Sequence, residues 1–126
     1  RFEAELALKR FQLSPYFDSV VTLDESHKEE PRIFRTTGRR VKYTKPHPYS
    51  LLRVVQEIDI PNPRCGYVGD VVDDMLAARA AGKELDIFAV GFLHAGKKDE
   101  TVKDSLLKAG ADLIVENPRG LLQALT

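Results

Sequence analysis

The sequence is poor in cysteine and in long apolar runs. Cys65 is the one cysteine among 126 residues, so an internal disulfide is excluded. Its place in a predicted buried strand favours a small core residue over a nucleophile. No apolar run approaches the length of a membrane span, and no signal peptide is visible. We therefore expect a protein of the reducing cytoplasm that makes no membrane contact.

An excess of one charge is also absent, since 19 basic and 19 acidic residues give a formal net charge of zero. That balance removes the electrostatic argument for a general nucleic-acid binder, while leaving room for a local basic patch. A hydrophobic content of 43% is typical of a soluble globular domain, and 126 residues are enough for one domain with its own core.

What the sequence does contain is a junction of strand, glycine, carboxylates and helix. Residues 65–68 predict a short buried strand that ends at a glycine, and Asp70, Asp73 and Asp74 precede a helical pattern over residues 75–81. Ligands of open α/β sheets bind beyond the carboxyl ends of the strands. Clustered carboxylates repel one another, and a divalent cation is one way to relieve that repulsion.

The second half of the chain alternates strand and helix three times, which predicts an α/β fold with a parallel, Rossmann-like sheet flanked by helices. The strands read as continuous apolar runs, as strands buried on both faces do. The predicted strands are 65–68, 87–90 and 112–115, the predicted helices are 49–58, 75–81, 99–109 and 118–125, and a loop is predicted over 94–98.

The first half is less regular. Residues 1–13 predict a helix, and the β-branched stretch 19–23 predicts a strand. Residues 24–40 are dense in charge and contain Pro31 and Gly38. We expect either a hairpin, with short strands at 33–34 and 41–43, or a solvated loop.

Asp70 and Asp74 are the strongest candidate site residues. Asp70 directly follows the strand and its glycine, so its carboxylate is expected at the top of the sheet. Asp74 lies four residues later, in the first helical turn, near enough to support a group that Asp70 holds. The simpler interpretation is that these carboxylates only cap the helix. We favour that interpretation for Asp73 and a functional role for Asp70 and Asp74.

Lys45 and His47 lie in a proline-rich turn before the helix at 49–58. Pro46 restricts the backbone next to Lys45, whose ammonium group is a suitable point charge for a phosphate or carboxylate. Taken alone, an exposed lysine at a turn is the simpler interpretation. His47 is a weaker candidate, because its side chain is expected to point away from Lys45 and only to cap the helix.

Together these motifs resemble the haloacid dehalogenase superfamily, in particular its phosphoglycolate phosphatase-like members. The resemblance lies in Lys45-Pro46-His47-Pro48 and, about twenty residues later, Val68-Gly69-Asp70 with Asp74. It covers nearly the whole chain apart from about residues 25–44. The chain would then be the C-terminal part of a single core domain over residues 1–126, with a short hairpin or flap at about 25–44.

The resemblance implies Mg²⁺-dependent hydrolysis of a small phosphate monoester through a phospho-aspartyl intermediate. Asp70 would bind Mg²⁺, Asp74 would hold the site and orient Lys45, and Lys45 would bind the phosphoryl group beside the nucleophile. An anion must attack an anion in this reaction, so a metal and a lysine are needed to offset the negative charge.

Two departures from the family pattern bear on this implication. The Asp-x-Asp segment that carries the nucleophile occurs nowhere in the sequence, and Val71 stands where the family often has a small residue. We therefore expect that the first two core strands are missing from this chain, and that the chain alone is inactive. The missing segment would be a separate chain, a nicked piece or a swapped copy. Without it, strand edges and apolar surface would be open.

Two other functions remain open from the sequence. One is a non-catalytic haloacid dehalogenase-like subunit that pairs with a partner and binds phosphate or metal without turnover. The other is a receiver-type signalling domain, which we rank last because its acid cluster precedes its lysine, whereas here the lysine comes first. The sequence does not define the substrate.

Overall fold

The computed structural model describes residues 1–94 and 99–126, and the chain divides into two compact units. We call Arg1–Pro61 the N-terminal unit and Asn62–Thr126 the C-terminal unit. The loop predicted over residues 94–98 lies outside the described residues from residue 95 onward. None of the helices that the structure describes combines the length and apolar character that a membrane crossing requires.

Helices make up the regular structure of the N-terminal unit. Two of its helices confirm predictions, one near the start of the chain and one after the proline-rich turn. The elements are α1 Phe2–Arg10, a 3₁₀ helix Ser14–Tyr16, α2 Leu23–Thr37 and α3 Tyr49–Ile58.

The strand predicted at residues 19–23 is wrong, because Leu23 already begins α2 and residues 19–22 belong to no strand. The Thr22 hydroxyl accepts a hydrogen bond from the Asp24 N–H, and the Glu25 carboxylate accepts one from the Thr22 N–H at 2.8 Å. This capping box starts the helix. The β-branched run favours a strand, but a strand needs a hydrogen-bonded neighbour, and no strand of the described sheet pairs with it.

The hairpin predicted at residues 33–34 and 41–43 is also wrong. Residues 33–34 lie inside α2, which continues past Pro31 and ends at Gly38 in the left-handed conformation, with φ at 71°. Residues 41–43 form no strand. The helix prevails because it is capped at both ends, by the capping box and by a glycine that adopts positive φ without steric cost.

Three parallel strands form the sheet of the C-terminal unit, in the order β1, β2, β3. These elements confirm the predicted α/β fold and each predicted strand and helix of this half to within a few residues. The strands are β1 Arg64–Gly69, β2 Asp86–Phe92 and β3 Leu113–Val115, and the helices are α4 Val72–Ala81, α5 Glu100–Ala109 and α6 Pro118–Leu125.

The two faces of this sheet are covered unequally. On one face, a Cβ at Gly91 would meet Leu106 of α5 at 3.2 Å, and Ala89, two residues earlier in the same strand, is buried. On the other face α6 approaches, and a Cβ at Gly66 would lie 3.0 Å from Leu125. Apolar side chains remain partly exposed in all three strands, with Val68 at 38%, Phe88 at 43% and Leu113 at 38%.

The prediction that the strands are buried on both faces is confirmed at Ala89 and Val90 of β2 and is wrong for β1 and for the partly exposed Phe88 and Leu113. Within the C-terminal unit, the two helices α4 and α5 pack against one face of the sheet. The other face is approached by α6, a helix of eight residues, which covers less of it. β1 and β3 are also the outer strands of the described sheet, so each has one edge without a neighbouring strand in that sheet.

Candidate functional site

The junction between β1 and α4 is built around a close contact between Gly69 and Asp74. A Cβ placed on Gly69 would lie 2.3 Å from the Asp74 Cβ and 2.6 Å from its Oδ2. Real Cβ atoms do not approach so closely, so only glycine fits at this position. The missing side chain lets the first turn of α4 close onto the end of β1.

The Asp74 side chain accepts hydrogen bonds from the backbone of this junction. Its Oδ2 accepts hydrogen bonds from the Asp70 N–H at 3.2 Å and from the Val71 N–H at 3.3 Å. Both donors precede the helix and have no partner within it. The side chain is buried, with 4% of the residue exposed, so these bonds form where water competes little. Asp74 therefore fixes the direction in which the chain leaves the sheet at Asp70.

Tyr67 also contacts the Asp74 carboxylate. The Tyr67 hydroxyl donates to Asp74 Oδ1 at 3.1 Å. Burial, together with the negative charge of the Asp74 carboxylate, raises the pKa of Tyr67 well above its usual value. The phenol therefore stays protonated and keeps donating, which leaves Asp74 with a hydrogen bond on each carboxylate oxygen.

Asp70 itself presents its carboxylate near His94. The distance from His94 Nε2 to Asp70 Oδ2 is 3.6 Å, and both side chains are about half exposed. Sequence analysis did not identify His94. The signal was available, because His94 follows β2, and the carboxyl ends of paired parallel strands meet at one edge of the sheet.

A shallow cleft of about 390 Å³ lies beside Asp70 within the C-terminal unit. The β1–α4 junction forms one wall through residues 70–72, and α5 forms the other through Thr101, Val102, Ser105 and Leu106. The cleft places Asp70 at a ligand-accessible edge of the sheet, as its position after the strand predicts.

The residues at this edge fit one part of a Mg²⁺ site. Within residues 1–94 and 99–126, no cluster of three or more histidine, cysteine, aspartate or glutamate side chains is arranged to hold a metal ion. Mg²⁺ is commonly held by one or two carboxylates with water and phosphate oxygens as the other ligands. The Asp70 carboxylate is about half exposed and has oxygen atoms that can coordinate a cation, so it is suited to be one such ligand.

Lys45 and His47 lie in the N-terminal unit, before α3. His47 Nδ1 accepts a hydrogen bond from the N–H of Tyr49, the first residue of α3, at 3.1 Å. The expectation that His47 caps this helix is confirmed. Lys45 is exposed. Its role beside the aspartates stays a prediction.

The structure thus brings two of the three predicted site residues, Asp70 and Asp74, together at one strand end. Asp73 is exposed in the first turn of α4, where a carboxylate is favourable for the helix dipole.

A family model for haloacid dehalogenase-like hydrolases matches residues 1–82 of the chain. The chain belongs to the haloacid dehalogenase-like hydrolase family. This membership confirms the resemblance that rests on the lysine and aspartate motifs, since residues 1–82 contain all of them.

Curated relatives of this haloacid dehalogenase-like chain include phosphatases from three bacteria. A phosphoglycolate phosphatase of Xylella fastidiosa is 36% identical over 81 residues, which cover 64% of this chain and 32% of the relative. The Xanthomonas campestris enzyme of the same name is 39% identical over 81 residues, covering 64% of the chain and 34% of the relative. An N-acetylmuramic acid 6-phosphate phosphatase of Pseudomonas aeruginosa is 31% identical over 85 residues, covering 68% and 34%. The chain thus spans about a third of the length of the curated relatives it matches.

Solved structures agree with the fold. A haloacid dehalogenase-like protein of unknown function from Agrobacterium tumefaciens superimposes with a TM-score of 0.72 at 22% identity, covering 98% of this chain and 49% of that one. A hydrolase from Pseudomonas syringae gives a TM-score of 0.51 at 35% identity, covering 68% of this chain and 35% of that one.

Proposed function

We propose that this chain supplies the lysine and the metal-binding aspartate of a Mg²⁺-dependent phosphate monoester hydrolase. The observation that carries the proposal is the β1–α4 junction, where buried Asp74 fixes the backbone of Asp70 at an accessible edge of the sheet. Family membership and the phosphatase names of the relatives support the reaction class.

Each residue has a role that its position can support. Asp70 offers a carboxylate oxygen to Mg²⁺, which when bound offsets the charge of the phosphoryl group. Asp74 holds the peptide of Asp70 in place and, as the resemblance implies, orients Lys45. Lys45 binds a phosphate oxygen and lowers the repulsion between the attacking carboxylate and the phosphoryl group.

The attacking aspartate comes, in this proposal, from a segment outside the 126 residues. The support is that no Asp-x-Asp sequence occurs in the chain, and that β1 has an edge without a partner in the described sheet. The segment is a separate chain, a nicked piece or part of a swapped copy. The substrate is a small phosphorylated molecule, as the names of the relatives suggest. A cytoplasmic location and the lack of nucleic-acid or membrane partners stay predictions.

The absence of an Asp-x-Asp sequence also favours a second candidate. In that case the chain is a haloacid dehalogenase-like subunit that binds phosphate or metal without turnover. The two candidates differ in whether adding the nucleophile segment produces hydrolysis.

The test measures hydrolysis of p-nitrophenyl phosphate with and without Mg²⁺, for this chain alone and together with the segment that carries the nucleophile. We expect no activity from the chain alone and Mg²⁺-dependent activity from the combination. Asp70→Asn and Lys45→Ala should each lower that activity at least about 100-fold, since each removes charge stabilisation of the transition state.

Asp73→Asn is the matched control, because it removes a carboxylate from the same helix start without touching Asp74's contacts. It should retain activity within about threefold of the unsubstituted protein. Activity that survives both Asp70→Asn and Lys45→Ala would contradict the hydrolase proposal. Phosphate binding without hydrolysis in the combination would support the non-catalytic subunit.

A further inference from the structure

A histidine and an aspartate face each other at one edge of the sheet in the C-terminal unit. His94 follows β2 and Asp70 follows β1, and these two strands pair in parallel with Gly69 opposite Gly91. The distance from His94 Nε2 to Asp70 Oδ2 is 3.6 Å. The proposed role of Asp70 does not involve His94, so the histidine has no assigned function at this edge.

The backbone beside each of these two side chains is held in place. The N–H of Asp70 donates to the buried carboxylate of Asp74 at 3.2 Å. The N–H of Leu93, the residue before His94, donates to the carbonyl oxygen of Val115 at 2.8 Å, and Leu93 is 2% exposed. The imidazole and the carboxylate therefore extend from anchored positions at the ends of neighbouring strands.

The distance between the two side chains is too long for a direct hydrogen bond. Hydrogen bonds from nitrogen to oxygen in proteins measure about 2.7–3.2 Å. An ion pair between side chains that are about half exposed contributes little to stability. In the described part of the chain, neither the Asp70 carboxylate nor the His94 ring forms a hydrogen bond. Both groups are therefore available to a third group placed between them.

The same distance suits two ligands of one metal ion. Zinc binds histidine nitrogen and carboxylate oxygen at about 2.0–2.2 Å in tetrahedral sites, which places two ligand atoms about 3.4 Å apart. Octahedral Mg²⁺, with ligands at about 2.1 Å, requires neighbouring ligand atoms about 3.0 Å apart and prefers oxygen to nitrogen. The observed 3.6 Å is closer to the tetrahedral spacing.

We propose that His94 Nε2 and Asp70 Oδ2 together bind a late first-row divalent metal ion of the Zn²⁺ class. Imidazole is a good ligand for such ions and a poor one for Mg²⁺. Within residues 1–94 and 99–126 no third histidine, cysteine, aspartate or glutamate completes a cluster with the pair, so water or phosphate oxygens supply the remaining ligands.

Competition between two metal ions follows from this assignment. Zn²⁺ uses both side chains, whereas Mg²⁺ uses the Asp70 carboxylate alone, so the two ions exclude each other at Asp70. Two protein ligands give an exchangeable ion with open coordination positions, unlike the closed four-ligand sites in which zinc has a structural role. The inference rests on the proposed role of Asp70 as a metal ligand and adds His94 as the residue that sets the preference between ions.

The test follows the NMR spectrum of the ¹⁵N-labelled chain during titration with ZnCl₂ or MgCl₂. The amides of Asp70 and Val71 report binding of either ion, and the ¹⁵N resonances of the imidazole rings report which histidine nitrogen binds. We expect Zn²⁺ to bind at least about tenfold more tightly than Mg²⁺ and to shift the Nε2 resonance of His94. Added Mg²⁺ should raise the apparent Kd for Zn²⁺.

His94→Gln separates the two ions, because it removes the nitrogen ligand and leaves the carboxylate. It should weaken Zn²⁺ binding at least about tenfold and Mg²⁺ binding by about twofold or less, a difference that loss of a merely structural histidine would not produce. Asp70→Asn should weaken the binding of both ions. His27→Gln and Asp73→Asn, at an exposed histidine of α2 and an exposed carboxylate of α4, are the matched controls and should keep both affinities within about twofold.

Several results would overturn the inference. They are equal affinities for the two ions, no zinc binding, an unshifted His94 ring during the zinc titration, and equal losses in His94→Gln and His27→Gln. The ring resonances of the unsubstituted chain keep the test valid if circular dichroism shows that a variant is unfolded. Zinc binding through His94 and Asp70 without p-nitrophenyl phosphate hydrolysis in the combined protein would defeat the proposed hydrolase function and leave the metal site standing. Mg²⁺-dependent hydrolysis without the zinc preference would do the reverse.

Discussion

The two units of the chain are held together by different kinds of contact. In the N-terminal unit Leu51 is the buried apolar residue among those described, and Phe2, Phe11 and Tyr16 are each more than 60% exposed. The buried apolar residues of the C-terminal unit are Met75, Ala77, Ala78, Ala81, Ala89, Val90, Leu93, Leu106, Ala109 and Val115. The C-terminal unit is therefore stabilised by apolar burial around its sheet.

The N-terminal unit instead has polar contacts at two helix starts and between α2 and the segment that follows it. The capping box of Thr22 and Glu25 starts α2, the carboxylate of Glu30 holds Tyr43, and His47 caps α3. Polar contacts of this kind contribute about 1 kcal/mol each, and the contact of Glu25 depends on the ionisation of its carboxylate, whereas apolar burial contributes more and does not depend on ionisation. The two units should therefore respond differently to core truncation and to acid.

The largest difference is expected from truncating apolar side chains. Met75→Ala should lower the free energy of unfolding by about 2–5 kcal/mol, because Met75 is 0% exposed and leaves a cavity. Leu6→Ala, at a residue that is 54% exposed, should cost less than about 1 kcal/mol. Urea denaturation measures both losses, and hydrogen exchange assigns them to a unit. Similar losses for the two variants would contradict the contrast.

An intermediate effect is expected at the β1–α4 junction. Asp74→Ala should cost about 2–3 kcal/mol, since it leaves the N–H groups of Asp70 and Val71 and the Tyr67 hydroxyl without their acceptor. Asp73→Ala, an exposed carboxylate of the same turn, should change stability by no more than about 0.5 kcal/mol. The amides of Asp70 and Val71 should exchange faster in Asp74→Ala alone. Unchanged exchange there would show that Asp74 does not fix the junction.

The smallest effect concerns the pH response of the N-terminal unit. Burial alone would raise the pKa of Glu25, but hydrogen bonds from the Thr22 hydroxyl and backbone and from Arg1 outweigh it and lower the pKa to about 2. Because the folded-state pKa lies below the ordinary value of 4.5, this stabilisation is complete above pH 4.5 and is lost as the pH falls toward 2.

Glu25→Gln should therefore lower stability at neutral pH by about 1 kcal/mol and flatten its decline between pH 4.5 and 2. Thermal unfolding followed by circular dichroism across this range measures both effects. Glu3→Gln, in the first turn of α1, is the control and should leave the decline as steep as before. An unchanged slope in Glu25→Gln would show that another carboxylate governs the acid response.

The sequence predicts the C-terminal unit well because its signals are local. An apolar run followed by Gly69 and Asp70 defines the strand end, and Asn117 and Pro118 define the start of α6. The helices α4 and α5 end at glycines, Gly82 and Gly110. The predicted place of Asp70 and Asp74 at one strand end follows from that order. His94 was missed because its nearness to Asp70 depends on strand pairing, not on spacing along the chain.

The N-terminal unit is predicted less well for a physical reason. A strand depends on a neighbouring strand as much as on its own residues, so the β-branched stretch at 19–23 gives a false signal where no pairing is described. The Thr22–Glu25 capping box was the correct local signal for α2 and would have excluded the hairpin. The relation of Lys45 to the aspartates depends on the arrangement of distant segments, which spacing along the chain does not define.

The contact between Gly69 and Asp74 makes these two positions a coupled pair in mutational terms. Any side chain at position 69 meets the Asp74 carboxylate, and any change at position 74 that clears this space also removes the acceptor for the Asp70 and Val71 amides. The effects of substitutions at the two positions should therefore be strongly non-additive. A side chain at position 69 is accommodated only when position 74 also changes, and that second change carries its own cost at the Asp70 and Val71 amides.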